Sequence, residues 1–130
     1  MQLRKRCIEI LFEQSPLFIS LDQFAQSLQD WTLEPVCHED GEIAMIYLIK
    51  GAEFHFATCG RPLQIGRRHL NRLAQLLAEH GHVLTRTPKT DLRQQRFNQR
   101  LGFYPVAEDA FDIHYRIDHL RRKPSCPSSL

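Results

Sequence analysis

What this 130-residue chain lacks narrows the field first. Its longest apolar run, Ile43 to Ile49, falls far short of the roughly 20 residues that cross a bilayer, so no membrane association is expected. The start of the chain has neither the apolar stretch nor the small-residue cleavage site of an export signal, and the expected location is the cytoplasm. The four cysteines, Cys7, Cys37, Cys59 and Cys126, stand singly, without the C-x-x-C spacing that zinc or redox chemistry requires, and are expected to be free thiols. His80 and His82 lie two apart and His38 precedes Glu39 and Asp40, but no H-E-x-x-H pairing occurs and no metal site is expected. There is no internal repeat and no strong net charge, which is only +2.

What is present suits a globular protein. A content of 42% hydrophobic and 25% charged residues excludes disorder for most of the chain and fits one domain with one core. That domain is expected over residues 1–120; the remainder, 121–130 (RRKPSCPSSL), has no core-forming pattern and reads as a tail. Charge is unevenly spread: 4 Lys/Arg against 9 Asp/Glu up to Cys59, and 13 against 6 from Gly60 onward. The basic half is either a set of solvated helix faces or a surface that meets a polyanion, a phosphorylated cofactor or a nucleic acid.

Periodicity divides the chain into elements. Leu3, Cys7, Ile10 and Leu11 recur at helical spacing, and Ser15-Pro16 closes that helix. Ser20 with Gln23 makes a capping box for a second helix that ends near Trp31. The pattern then becomes extended over 32–38, turns at Asp40-Gly41 with a positive-φ pair, runs through Ile43–Ile49, turns again at Lys50-Gly51, and alternates cleanly in AEFHFATC. A long helix over about 63–80 carries Leu70, Leu73, Ala74 and Leu77 on one face, with Gly81 at its end. His82–Thr87 reads as a strand bounded by Pro88, 90–101 as a helix holding Phe97 and Leu101 and closed by Gly102, and the alternation of Phe111, Ile113, Tyr115 and Ile117 as a last strand. The order is α-α-β-β-β-α-β-α-β: an α/β chain with a mixed sheet flanked by helices.

From Ala52 to Phe103, about two-fifths of the chain, the succession of strand, turn with Gly and Arg, long helix, strand and short helix ending in L-G-F resembles the GNAT N-acetyltransferase superfamily. The usual first strand has no counterpart before the two opening helices. The resemblance implies a site for acetyl-CoA or CoA, whose pyrophosphate would meet the unpaired donors and partial positive charge of a helix N-terminus. It places Gly60, Arg61, Gly66, Arg67 and Arg68, in the turn C-G-R-P-L-Q-I-G-R-R-H, at that site. Against the family's Q/R-x-x-G-x-G/A motif, Leu63 takes the Q/R position and Arg68 the second small-residue position. The resemblance also implies that Thr85 and Thr87 line the strand edge that pairs with the pantetheine arm.

The segment TDLRQQRFNQRLGF is similar to the family's helix that carries a tyrosine acid, but Asn98 stands at the tyrosine position and Asp91 at that of an asparagine. An asparagine cannot protonate a leaving thiolate, so the acid would be Tyr104 or a water, or the thiolate would leave unassisted, and Asn98 is left with cofactor contact alone. Glu53 and His55 share one strand face beside the expected acetyl position and are the candidate bases. Short GNAT-like chains of this layout resemble small head-assembly or morphogenesis proteins of short-tailed phages. That resemblance implies the alternative of a non-catalytic protein working in the host cytoplasm through a protein partner. Arg86, Lys89, Arg93, Arg96 and Arg100 form a basic stripe, but no nucleic-acid motif accompanies it and nucleic acid is not the expected partner.

Overall fold

A computed structural model describes residues 2–14, 19–61 and 66–120. Two helices, α1 (Gln2–Gln14) and α2 (Leu21–Ser27), precede the strands β1 (Thr32–Cys37), β2 (Ile43–Lys50) and β3 (Glu53–Thr58). Helix α3 (Gly66–His80), β4 (Val83–Pro88), α4 (Leu92–Leu101), β5 (Tyr104–Glu108) and β6 (Asp112–Ile117) follow. A sixth strand, β5, joins the five read from the sequence. The six form one mixed sheet in the order β1-β2-β3-β4-β6-β5. No helix among the described residues is long and apolar enough to cross a membrane. The Ser15-Pro16 stop, Pro62 and Leu63 of the expected phosphate turn, and the 121–130 tail with Cys126 lie outside the described residues.

Both edge strands carry a proline, Pro35 in β1 and Pro105 in β5, where a missing N–H costs no ladder bond. Each edge strand also has an irregular register, at Val36/Cys37 and at Pro105/Ala107.

Cα packing separates two compact units, Met1–Lys50 with His55–Gln64, and Gly51–Phe54 with Ile65–Leu130. In the first, Cys7, Leu11, Phe24, Leu28, Leu33, Ile43 and Ile46 form the core. Ser20 and Gln23 close the expected capping box at the start of α2. The Arg4 guanidinium donates to the carbonyls of Leu28 and Trp31 at 2.9 and 3.0 Å, tying α1 to the turn that follows α2. Of the expected positive-φ pair only Gly41 (φ 91°) has that conformation. Asp40 keeps a negative φ because its carboxylate accepts the Glu42 N–H at 3.0 Å, a turn of a different kind from the two-residue hairpin.

In the second unit, β4 pairs with β6 in antiparallel register from Val83↔Ile117 to Pro88↔Asp112, and β5 pairs with the other side of β6. The parallel register of β3 and β4 is set at Glu53↔Leu84, where the Leu84 N–H donates to the Ala52 carbonyl at 2.9 Å. Pro88 ends β4 as a member of the strand. Helix α3 buries His69, Leu73 and Leu76, so the centre of its inward face is turned from the Leu70, Leu73, Ala74 and Leu77 stripe. Each buried leucine contributes on the order of 2 kcal/mol. Helix α4 starts on the Asp91 side chain, which accepts the Gln94 N–H, and ends on left-handed Gly102 (φ 114°).

Candidate active site

The face of the second unit's sheet that carries Glu53, Arg86 and His114 holds a cleft of about 390 Å³. Strand alternation puts these three on one face: Glu53 pairs with Leu84, and Arg86 is the direct cross-strand partner of His114. Leu84, Val106 and Ala107 supply apolar wall. Glu53 is half-buried, and its carboxylate Oε2 stands 3.6 Å from Arg86 Nη2. On the far side of Arg86, His114 Nε2–H donates to Asp109 Oδ2 at 2.9 Å. Asp109 also accepts the N–H groups of Phe111 and Asp112 at 2.9 and 2.8 Å. The bond from His114, then those two N–H groups, hold the Asp109 carboxyl well below the usual carboxylate range. Two carboxylate pairs, Glu53 with Arg86 and Asp109 with His114, therefore stand side by side across β4 and β6.

Of the cofactor residues proposed from sequence, Gly66, Arg67 and Arg68 form the exposed first turn of α3, and a side chain at Gly66 would meet nothing within 4 Å. Thr85 lines the cleft. Thr87 and Asn98 turn inward and are almost completely buried: Asn98 Nδ2 donates to Thr87 Oγ1 at 2.8 Å, and Asn98 Oδ1 accepts from Gln94 Nε2 at 3.0 Å. Replacing Asn98 with Ala is expected to cost about 2 kcal/mol in urea-induced unfolding, because the buried Thr87 hydroxyl loses its donor. A loss below about 0.5 kcal/mol would show that this tie between α4 and β4 is dispensable.

Tyr104 is exposed at the start of β5, where its hydroxyl donates to Asp118, which also accepts from Arg116 Nε at 2.9 Å. The bond to Asp118 pushes the Tyr104 pKa up, making it a weaker acid.

His55, Gly60 and Arg61 belong to the first unit. The His55 ring packs against Trp31 with centroids 5.5 Å apart. Gly60 (φ 61°) turns the chain after β3 and lines a second cleft, of about 460 Å³, with Cys59, Glu42 and Arg6. The Arg61 guanidinium is held by Asp40 at 2.8 Å and Glu42 at 2.9 Å. The bond to Glu42, followed by the charge of Asp40, raises the Arg61 pKa.

The residues that sequence reasoning did not assign to this site are His114, Asp109 and Arg86, the last noted only as part of a basic stripe. The signal for His114 was its place between Asp112 and Arg116 on the polar face of the last strand, but a partner could be named only with strand order in hand. His69, packed edge-on against Phe54 and Phe97, was also passed over. Among the described residues, no group of three His, Cys, Asp or Glu side chains is placed to hold a metal ion.

No family model and no curated protein sequence matches the chain. Solved structures do. The N-acetyltransferase PseH of Campylobacter jejuni superposes with a TM-score of 0.63 at 13% identity, over 87% of this chain and 89% of that one. A nourseothricin acetyltransferase gives 0.56 at 13% identity, over 68% of this chain and 65% of that one. FdhC, a nucleotide-linked sugar GNAT, gives 0.55 at 10% identity, over 80% and 71%. The chain has the fold of the GNAT N-acetyltransferases.

Proposed function

We propose that this chain binds acetyl-CoA and transfers the acetyl group to an amine, with Glu53 taking the proton from the incoming ammonium. The observation that carries this reading is Glu53 at the parallel register of β3 and β4, in a cleft of a GNAT fold. Acetyl-CoA would supply an activated acyl carbon on a thiol leaving group. The first turn of α3 fits its pyrophosphate. It offers helix N-terminal donors, the Arg67 and Arg68 cations, and open space at Gly66 where backbone can approach a phosphate. Arg61, engaged by two carboxylates, adds less to that charge. Thr85 on β4 is suited to meet the pantetheine arm, with Thr87 and Asn98 behind it fixing the strand.

Glu53 would take the ammonium proton and leave the amine a neutral nucleophile; with bound acetyl-CoA supplying the acyl carbon, the new carbon–nitrogen bond would replace the carbon–sulfur bond and the second amine proton would end on the departing sulfur as the CoA thiol. With Asn98 enclosed and Tyr104 engaged by Asp118, no side-chain acid is assigned to that sulfur. The same enclosure of Asn98 favours a second reading, a GNAT-fold protein that acts through protein contacts, as in phage head assembly.

Calorimetric titration with acetyl-CoA separates the two. Micromolar binding is expected, and Arg67→Ala with Arg68→Ala is expected to weaken it by a factor on the order of ten to a hundred. Unchanged affinity in the double variant would move the phosphates elsewhere. No binding by the unaltered protein would reject the transferase and leave the protein-contact reading.

A further inference from the structure

The cleft that holds Glu53 also has a feature that proton transfer does not use. Arg86 meets Glu53 through one nitrogen at 3.6 Å, beyond hydrogen-bond length, and among the described residues its guanidinium makes no hydrogen bond. Arg61 shows what a committed arginine looks like in the same chain, with carboxylate oxygens at 2.8 and 2.9 Å. A guanidinium carries five N–H donors in one plane, matched to the two oxygens of a carboxylate or phosphate. Here those donors are about half exposed beside the apolar side chains of Leu84, Val106 and Ala107, so they stay open to a ligand that enters the cleft. His114, the cross-strand partner of Arg86, spends its Nε2–H on Asp109, so Arg86 is the one fixed cation among the lining residues.

We propose that this cleft takes an acceptor whose amine lies within a few bonds of an anionic group, with Arg86 as the anion's partner. The inference rests on the transferase reading above. An α-amino acid, with ammonium and carboxylate on one carbon, is the simplest such molecule: the ammonium faces Glu53, the carboxylate faces Arg86, and an apolar side chain lies on Leu84 and Val106. A phosphate in place of the carboxylate satisfies the same donors. Arg86 thus sets specificity, and Glu53 handles the proton.

The test compares paired amines at saturating acetyl-CoA: a set of free L-amino acids against their α-amides, and phosphoethanolamine against ethanolamine. The anionic member of a pair is expected to be acetylated with kcat/KM higher by a factor on the order of ten to a hundred. Arg86→Gln is expected to remove that preference through KM, with the acetyl-CoA Kd within about twofold of the unaltered protein. Preference confined to the amino acids assigns a carboxylate, and preference confined to phosphoethanolamine assigns a phosphate. Equal rates within every pair, or a preference that survives Arg86→Gln, overturn the proposal. If no amine is acetylated, NMR titration of the same pairs without acetyl-CoA reads the anion site directly. Shifts produced by the anionic member and lost in Arg86→Gln would keep the site while the transferase reading falls; no difference within the pairs would overturn both.

Discussion

Lowering the pH from 7 to 4 is expected to remove roughly 3 kcal/mol of stability through His69 alone, because burial pushes its pKa from 6.5 to about 4. The imidazole is folded in its neutral form, edge-on between Phe54 and Phe97, and is only 3% exposed. The unfolded chain takes up its proton near pH 6.5, whereas the folded chain resists until about pH 4. Between those values the unfolded state binds more protons, so stability rises with pH across the window and falls as pH drops through it. The check is urea denaturation at several pH values between 7 and 4, for the unaltered protein and for His69→Phe. The aromatic replacement keeps the ring contacts and cannot titrate, so its stability should change less over the window by about that amount. Parallel pH profiles for the two proteins would show that His69 takes up its proton equally well in the folded and unfolded chain. Carboxylates such as Asp109 act at lower pH and are common to both proteins, so the difference between the curves isolates the histidine.

The second large effect is kinetic. Glu53→Gln is expected to lower kcat for amine acetylation by a factor on the order of 10² to 10³, since the amide keeps the shape and cannot accept a proton. Acetyl-CoA affinity should stay within about twofold, as the proposed phosphate contacts are at α3 and not at Glu53. Steady-state kinetics with a saturating amine, alongside calorimetry, separates the two quantities. An unchanged kcat would reduce Glu53 to the partner of Arg86 and pass the proton to another group; His114, held by Asp109 in the same cleft, would then be the residue to replace.

Much of the fold was legible because its signals are local. The Ser20/Gln23 box, the left-handed Gly102 and the apolar run of β2 each act over a few residues, and all three appear where the residues placed them. The strand β5 was missed for the same reason in reverse. Tyr104, Pro105, Val106, Ala107 and Glu108 are all exposed at the sheet edge, so no alternation of burial marks them, and only pairing with β6 makes them a strand. The inward face of α3 was misplaced because a histidine does not count as apolar, yet His69 is buried between two phenylalanines.

The candidate site divides along the same line. Residue types and element order were set by the sequence alone: Glu53 on a strand, glycine and two arginines near the start of a helix, and Asn98 where the resembling family has a tyrosine. Which side chains face each other was decided only by strand order and register. Glu53 meets Arg86 because β3 and β4 are parallel neighbours at Glu53↔Leu84, and His114 joins them because it is the cross-strand partner of Arg86. A slip of one residue would send each to the opposite face. Burial of Asn98 against Thr87, and the occupation of Arg61 by Asp40 and Glu42, are contacts between distant segments that short-range pattern cannot encode. Local backbone chemistry determines where elements begin and end, while long-range packing determines which of their polar groups are spent on the fold and which remain for a ligand.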